Sequence, residues 1–142
     1  MIKQLHHTGF VVTDRDKSVA FYRDVVGLKL IAEYERIGPG IDAVIGYENT
    51  HLIIANLDLG GGHILELIQY LNPPPSERPT TERNTIGAPH VAILVDDIEA
   101  VQQRLIEGGA RPMNPPAELA PGRVACYIQD PDGNWLELLQ LG

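Results

Sequence analysis

Two stretches of this chain carry the same phrase, Leu65-Glu66-Leu67-Ile68-Gln69 and Leu136-Glu137-Leu138-Leu139-Gln140, and in both a glycine, Gly62 or Gly133, stands four residues before the glutamate. A carboxylate inside an apolar strand is costly to bury without a partner. A chain that embeds one twice, in matched surroundings, has a duplicated fold and a use for both.

The flanking segments extend the duplication. Residues 5–12 read as a β-branched and aromatic strand. A helix is expected over 16–26, with Val19, Tyr22 and Val26 on one apolar face and Gly27 as its stop. Strand 28–36 follows, then an irregular stretch 37–49 holding a helical turn near 41–46. Residues 51–59 and 63–70 form a hairpin through Gly60-Gly61-Gly62. The second half repeats the order. A strand covers 89–95, and a helix is capped by Asp96, with Glu99 completing a capping box. Ile98, Val101 and Leu105 face inward and Gly108-Gly109 closes the helix. A short strand near 111–113, a Pro-rich loop, strand 122–129, the turn Asp130-Pro131-Asp132-Gly133 and strand 134–141 complete it. The expected organisation is a first module over 1–71, a stiff Pro-rich linker over 72–86 and a second module over 87–142.

Strand alternation sorts the polar residues by face. His7 shares a face with Gly9 and Val11, and His90 with Ala92 and Leu94, so each histidine is followed on its own face by a very small residue. Each also precedes an aspartate by seven positions, Asp14 or Asp97, at a helix entrance. His6 is the competing histidine in the first strand. Packed as pseudo-symmetric halves, the modules would bring His7, Glu66, His90 and Glu137 to a common cavity. Two imidazoles and two carboxylates suit a divalent first-row ion. An ordinary core or edge histidine and a solvated glutamate are the plainer readings of each residue alone. The paired placement favours a site.

Composition narrows the classes. The chain has 142 residues, 44% hydrophobic and 21% charged, with a net charge of −8, which disfavours nucleic acid and other polyanions as partners. No apolar run is long enough to span a bilayer, and Met1-Ile2-Lys3-Gln4 lacks the apolar core of a signal peptide. Cys126 is the single cysteine, so an internal disulfide and a thiolate zinc cluster are both excluded. Cytoplasmic residence is the expectation. Cys126 reads as packing in an apolar strand. Trp135 reads as core and Tyr70, sharing the parity of Glu66, as a pocket residue. Arg36 and Arg123 are candidates to receive an acidic substrate group.

Four segments together resemble the vicinal oxygen chelate superfamily, which includes glyoxalase I, methylmalonyl-CoA epimerase, extradiol dioxygenases and bleomycin-binding proteins. They are His7-Thr8-Gly9-Phe10-Val11-Val12, the run Ser18 to Leu28, His90-Val91-Ala92-Ile93-Leu94-Val95-Asp96-Asp97, and Asp130-Pro131-Asp132-Gly133-Asn134 leading to Glu137. The resemblance implies an α+β fold of two βαβββ modules forming an open, cup-shaped, barrel-like mixed sheet around a metal. It implies His7, Glu66, His90 and Glu137 as ligands of a divalent ion (Zn, Ni, Co, Mn or Fe), matches His7 rather than His6 to the ligand position, and leaves His51 and His63 without one. It implies a lyase or isomerase of the glyoxalase or epimerase type. Metal chelation of a small vicinal-oxygen substrate would stabilise an enediolate while Glu137 or Glu66 moves the proton. It also implies a homodimer. A glutamate at position 66 is glyoxalase-like, whereas epimerases of the family typically have glutamine there. The alternatives are an Fe(II) extradiol-type dioxygenase, with Glu66 off the ion, and a binding or antibiotic-resistance protein without turnover.

Overall fold

The computed structural model describes residues 1–78 and 80–142; Pro79, one of the prolines assigned to the linker, lies outside the described residues. The chain divides into two units, Met1–Glu77 and Arg78–Gly142. Their boundary falls within the segment expected to link the modules.

The first unit is a four-stranded mixed sheet in the order β1-β4-β3-β2, formed by β1 (His7–Val11), β2 (Lys29–Ile37), β3 (His51–Gly60) and β4 (His63–Asn72). β1 runs parallel to β4, and the other pairs are antiparallel. Between β1 and β2 the chain forms α1 (Arg15–Ala20), which widens into a π-helical turn over Phe21–Val26. The carbonyl of Tyr22 accepts from both Gly27 and Leu28, at 3.1 and 2.9 Å, and Gly27 takes the left-handed backbone (φ 95°) that ends the helix. The helix therefore starts one residue earlier than expected and carries a π segment that apolar spacing does not reveal. Short α2 (Pro39–Ile45) occupies the irregular stretch before β3.

The second unit repeats this plan with β5 (His90–Leu94), α3 (Ile98–Glu107), β6 (Arg111–Pro112), β7 (Ala117–Ala120), β8 (Arg123–Gln129) and β9 (Trp135–Leu141). β5 runs parallel to β9, and β8 is antiparallel to β9. Two expectations are corrected. The Pro-rich loop contains β7, which pairs with β8 despite an Ala-Glu-Leu-Ala sequence of poor strand propensity, because the β8 edge supplies the ladder. And Asp97, not Asp96, caps α3: its carboxylate accepts the Ala100 amide at 3.0 Å from an extended backbone. Asp14 caps α1 in the same way through the Lys17 amide, also at 3.0 Å.

The matched leucines, glutamines and glycines of the repeated phrase each have a structural part. Leu65 and Leu67, like Leu136 and Leu138, point to the helix-covered side and are at most 1% exposed. Gln69 Oε1 accepts the Arg15 amide at 2.7 Å, and Gln140 Oε1 accepts the Ile98 amide at 2.8 Å, so each glutamine ties its strand to the first residue of its helix. Gly62 and Gly133 take matched left-handed backbones (φ 82° and 83°) at the turns leading into the phrases. The glutamates, on the opposite parity, emerge on the uncovered face.

Candidate functional site

The parallel registers set the histidines and glutamates side by side. In the first unit Gly9 pairs with Glu66 and His7 with Ile64. In the second, Ala92 pairs with Glu137 and His90 with Trp135. Cross-strand partners share a face, so each glutamate lies opposite the small residue two positions beyond its histidine. His7 Nε2 is 3.6 Å from Glu66 Oε1, and His90 Nε2 is 3.2 Å from Glu137 Oε2. The carboxylate side chains are sunk to 16% and 19% exposure while the imidazoles keep 43% and 45%, so the two pairs are presented alike. A methyl at Gly9 would lie 3.8 Å from Glu66 Oε1, the ordinary contact distance of a small residue against the carboxylate.

The donor set can be tested against an ion. Two ligands about 2.1 Å from one ion, at roughly tetrahedral or right angles, lie about 3.0–3.4 Å apart. The His90–Glu137 separation falls in that range, and the His7–Glu66 separation is wider by an amount that a small side-chain rotation closes. Each pair therefore fits half of a nitrogen and oxygen coordination set. Among the described residues no group of three or more His, Cys, Asp or Glu is gathered closely enough to hold an ion. One pair alone is incomplete.

The surroundings of the pairs differ. Tyr34, on β2, donates its hydroxyl to Glu66 Oε2 at 3.2 Å and receives Asn56 Nδ2 at 3.4 Å. Burial, and next the charge on Glu66, hold the Tyr34 hydroxyl above its ordinary pKa, so it remains a donor. Asn56 Oδ1 is buried with no hydrogen-bond partner among the described residues. In the second unit Tyr127 faces Glu137 across the β8–β9 ladder, and its ring meets His90 edge-on at 5.3 Å and Trp135 at 6.2 Å. Burial first, then Glu137, raise the Tyr127 hydroxyl, opposed by the nearby positive charge of Arg83.

Several sequence expectations find their places here. His6 precedes β1, so strand alternation does not carry it to the opposite face; its Nδ1 lies 2.8 Å from Nδ1 of His7, which leaves His7 Nε2 facing the carboxylate. His51 pairs with Glu35 on the β2–β3 ladder and His63 is exposed at the start of β4. Tyr70 meets Tyr47 edge-on at 6.5 Å. Trp135 is 2% exposed, as core. Burial, with a contribution from Glu137, pushes the Cys126 thiol up to about 11, which suits packing and not reactivity. Arg36 lies over the Tyr34 ring at 4.4 Å, whereas Arg123 begins β8, opposite Leu141 at the far end of the β8–β9 ladder from Tyr127 and Glu137. Sequence reasoning missed Tyr34, Asn56, Tyr127 and Arg83. Strand parity was the available signal for the first three, since each lies on the glutamate's face; for Arg83, a loop residue, there was none.

Known proteins share this arrangement of elements. The model of the Glyoxalase/Bleomycin resistance protein/Dioxygenase superfamily matches residues 4–138. YwbC of Bacillus subtilis, a protein described as uncharacterized, is 31% identical over 99% of both chains. A 2-epi-5-epi-valiolone epimerase of Actinomyces is 31% identical over 96% of this chain and 79% of its own length. A probable lactoylglutathione lyase of Vibrio cholerae is 30% identical over 94% of this chain and 88% of its own. The crystal structure of a glyoxalase family protein from Bacillus cereus superposes with a TM-score of 0.91 at 25% identity, over 100% of this chain and 97% of that one. With one model spanning nearly the whole sequence and a full-length relative at 31% identity, this chain belongs to the Glyoxalase/Bleomycin resistance protein/Dioxygenase superfamily.

Proposed function

We propose that the chain is a metal-dependent lyase or isomerase acting on a small substrate with adjacent oxygens, and that His7, Glu66, His90 and Glu137 together hold one divalent ion. The observation that carries this reading is the duplicated placement: each glutamate sits at the same register position, within 3.2–3.6 Å of a histidine Nε2. One such pair is an ordinary surface contact of little energetic worth. Two at equivalent positions, in a family whose relatives include a named epimerase and a probable lyase, favour a shared use. The two units would come from one chain or from two copies of it, the latter giving a homodimer.

A divalent ion bound there would act as a Lewis acid toward the substrate's carbonyl oxygen. The chain's residues supply the remainder. Tyr34 fixes Glu66 through one oxygen, so Glu66 is suited to hold position as a ligand. Among the described residues no hydroxyl donates to Glu137, which is better suited to take a proton from the carbon beside the carbonyl and return it. Tyr127 and Trp135 wall the second half-site with apolar surface. Their exclusion of water would strengthen the proton transfer electrostatically.

The test is metal stoichiometry and solvent-deuterium exchange in single variants. Bound metal should fall in His7→Ala and His90→Ala, and Glu137→Gln should lose exchange of deuterium into candidate 2-hydroxycarbonyl substrates. Full metal content and full exchange in Glu137→Gln would refute the assignment.

A further inference from the structure

The segment leading into β5 carries Arg83, whose guanidinium carbon lies 5.0 Å from the Trp135 ring centre and 5.6 Å from that of Tyr127. Trp135 pairs with His90, and Tyr127 with Glu137, so all four side chains and the guanidinium lie on one face of the second sheet. No hydrogen-bond acceptor or acidic partner meets the Arg83 guanidinium among the described residues. The other arginine of this segment, Arg78, is already engaged with Asn134 Oδ1 at 2.9 Å. A cation held by two aromatic rings, with its hydrogen-bonding edge unused, is pre-organised for an anion.

We infer that Arg83 forms an oxyanion subsite beside the second half-site and that the substrate carries a carboxylate, separate from its chelating oxygens, which this guanidinium binds. Trp135 and Glu137 are alternate residues of β9, about 7 Å apart along the strand, so the guanidinium over the Trp135 ring and the Glu137 carboxylate are neighbours on one face. A single planar fork matches the two oxygens of a carboxylate. A phosphate presents three oxygens, more than one planar fork pairs. Substrate selection would follow: a neutral vicinal-oxygen compound leaves the guanidinium unpaired, whereas an acid with a remote carboxylate gains a charge-assisted pair.

This inference rests on the metal-site reading for its chelating half only, and the two can be separated. Trp135 is the single tryptophan, so its fluorescence reports directly on an anion drawn to Arg83. Three probes are titrated into metal-free and metal-loaded protein: glutarate, which has only carboxylates; 2-oxobutyrate, which has only the chelating group at one end; and 2-oxoglutarate, which has both. Glutarate should change Trp135 emission with or without metal, and 2-oxoglutarate should bind the loaded protein at least tenfold more tightly than 2-oxobutyrate. Arg83→Met should abolish the glutarate response and bring 2-oxoglutarate to the 2-oxobutyrate level with metal content unchanged, while Arg83→Lys should restore part of the preference. A tenfold preference that survives in Arg83→Met, or a wild-type protein that does not distinguish the two oxoacids, overturns the subsite. Inorganic phosphate binding tenfold more tightly than glutarate through Arg83 overturns the carboxylate assignment. Failure of the metal reading looks different: no probe then gains from metal, and the Arg83-dependent glutarate response remains.

Discussion

The two units present the same pair of side chains in the same register, yet they treat their glutamates differently. Across the ladder from Glu66 stands Asn56, and one strand further Tyr34 reaches over to donate to the carboxylate. Across from Glu137 stands Tyr127, and the register position matching Tyr34 is held by Ala117. One carboxylate is thus tethered by a hydroxyl, while the other is walled by aromatic rings and overlooked by a guanidinium. The two units share one scaffold, and they differ at the neighbouring strands in what surrounds the carboxylate.

The largest test of that inequality is to neutralise each glutamate in turn. Glu137→Gln should reduce turnover by about 10²–10⁴-fold, the usual contribution of a general base, with a smaller change in substrate affinity. Glu66→Gln keeps the shape and loses the charge of the proposed ligand, so its main effect should be weaker metal binding, with turnover recovered as metal is raised. Steady-state kinetics across a metal titration reads both. Equal losses of turnover at saturating metal would show that the two carboxylates share the work.

A smaller effect is expected from their supports. Tyr34→Phe deletes the hydroxyl that donates to Glu66 Oε2, and removal of such a supporting bond typically weakens metal affinity about 10–100-fold. Tyr127→Phe should leave metal affinity nearly unchanged, because that residue offers the site its ring. Competition with a chelator gives both constants, and a reversed order would mean that the hydroxyl of Tyr127 is the one that matters.

These contrasts mark the limit of what was legible in the sequence. The duplicated phrase fixed the module plan and the position of each glutamate, because strand parity and apolar spacing are local properties. The partners of the glutamates were hidden because they come from other strands through register. Tyr34 reaches Glu66 only when β2 pairs with β3 and β3 with β4. The cap of α3 was misplaced by one residue because Asp96 and Asp97 are adjacent and chemically identical; only backbone geometry chooses between them. β7 was missed because its four residues are strand by pairing and not by propensity. And Arg83 lies in a Pro-rich polar segment that reads as a connection, where nothing local indicates that it folds back onto Trp135.

Where the units match, substitutions should match too. Asp14→Ala and Asp97→Ala each remove a carboxylate that accepts a helix amide at 3.0 Å. Each should cost about 1 kcal/mol, read as a lower urea midpoint. The costs should agree within a few tenths if caps in equivalent geometry are equivalent. A marked excess at one site would indicate that its helix depends more on the cap and less on packing.

The finest contrast lies beneath the glutamates. Leu67 and Leu138 are equivalent residues of the phrase, and their partners across the ladder are Ala55 and Cys126. Both are buried, at 0% and 1% exposure, so Cys126→Ala writes the first unit's residue into the second. Burial, aided by Glu137, raises the thiol from an ordinary 9.0 to about 11. The folded state therefore keeps the proton where the unfolded chain has lost it. Between roughly pH 9 and 11 the unfolded state binds fewer protons, so stability falls as pH rises through that window and is unaffected below it. Tyr34, Tyr70 and Tyr127 are raised in the same direction and act from about pH 10 upward. Cys126→Ala should consequently lower stability slightly at pH 8, through lost packing, and flatten its decline between pH 9 and 10, where the tyrosines contribute least. Urea midpoints measured at half-unit steps give the slope for each protein. Parallel slopes would mean that the thiol titrates alike in both states, and that the second unit buries a cysteine with no more electrostatic consequence than the alanine it replaces.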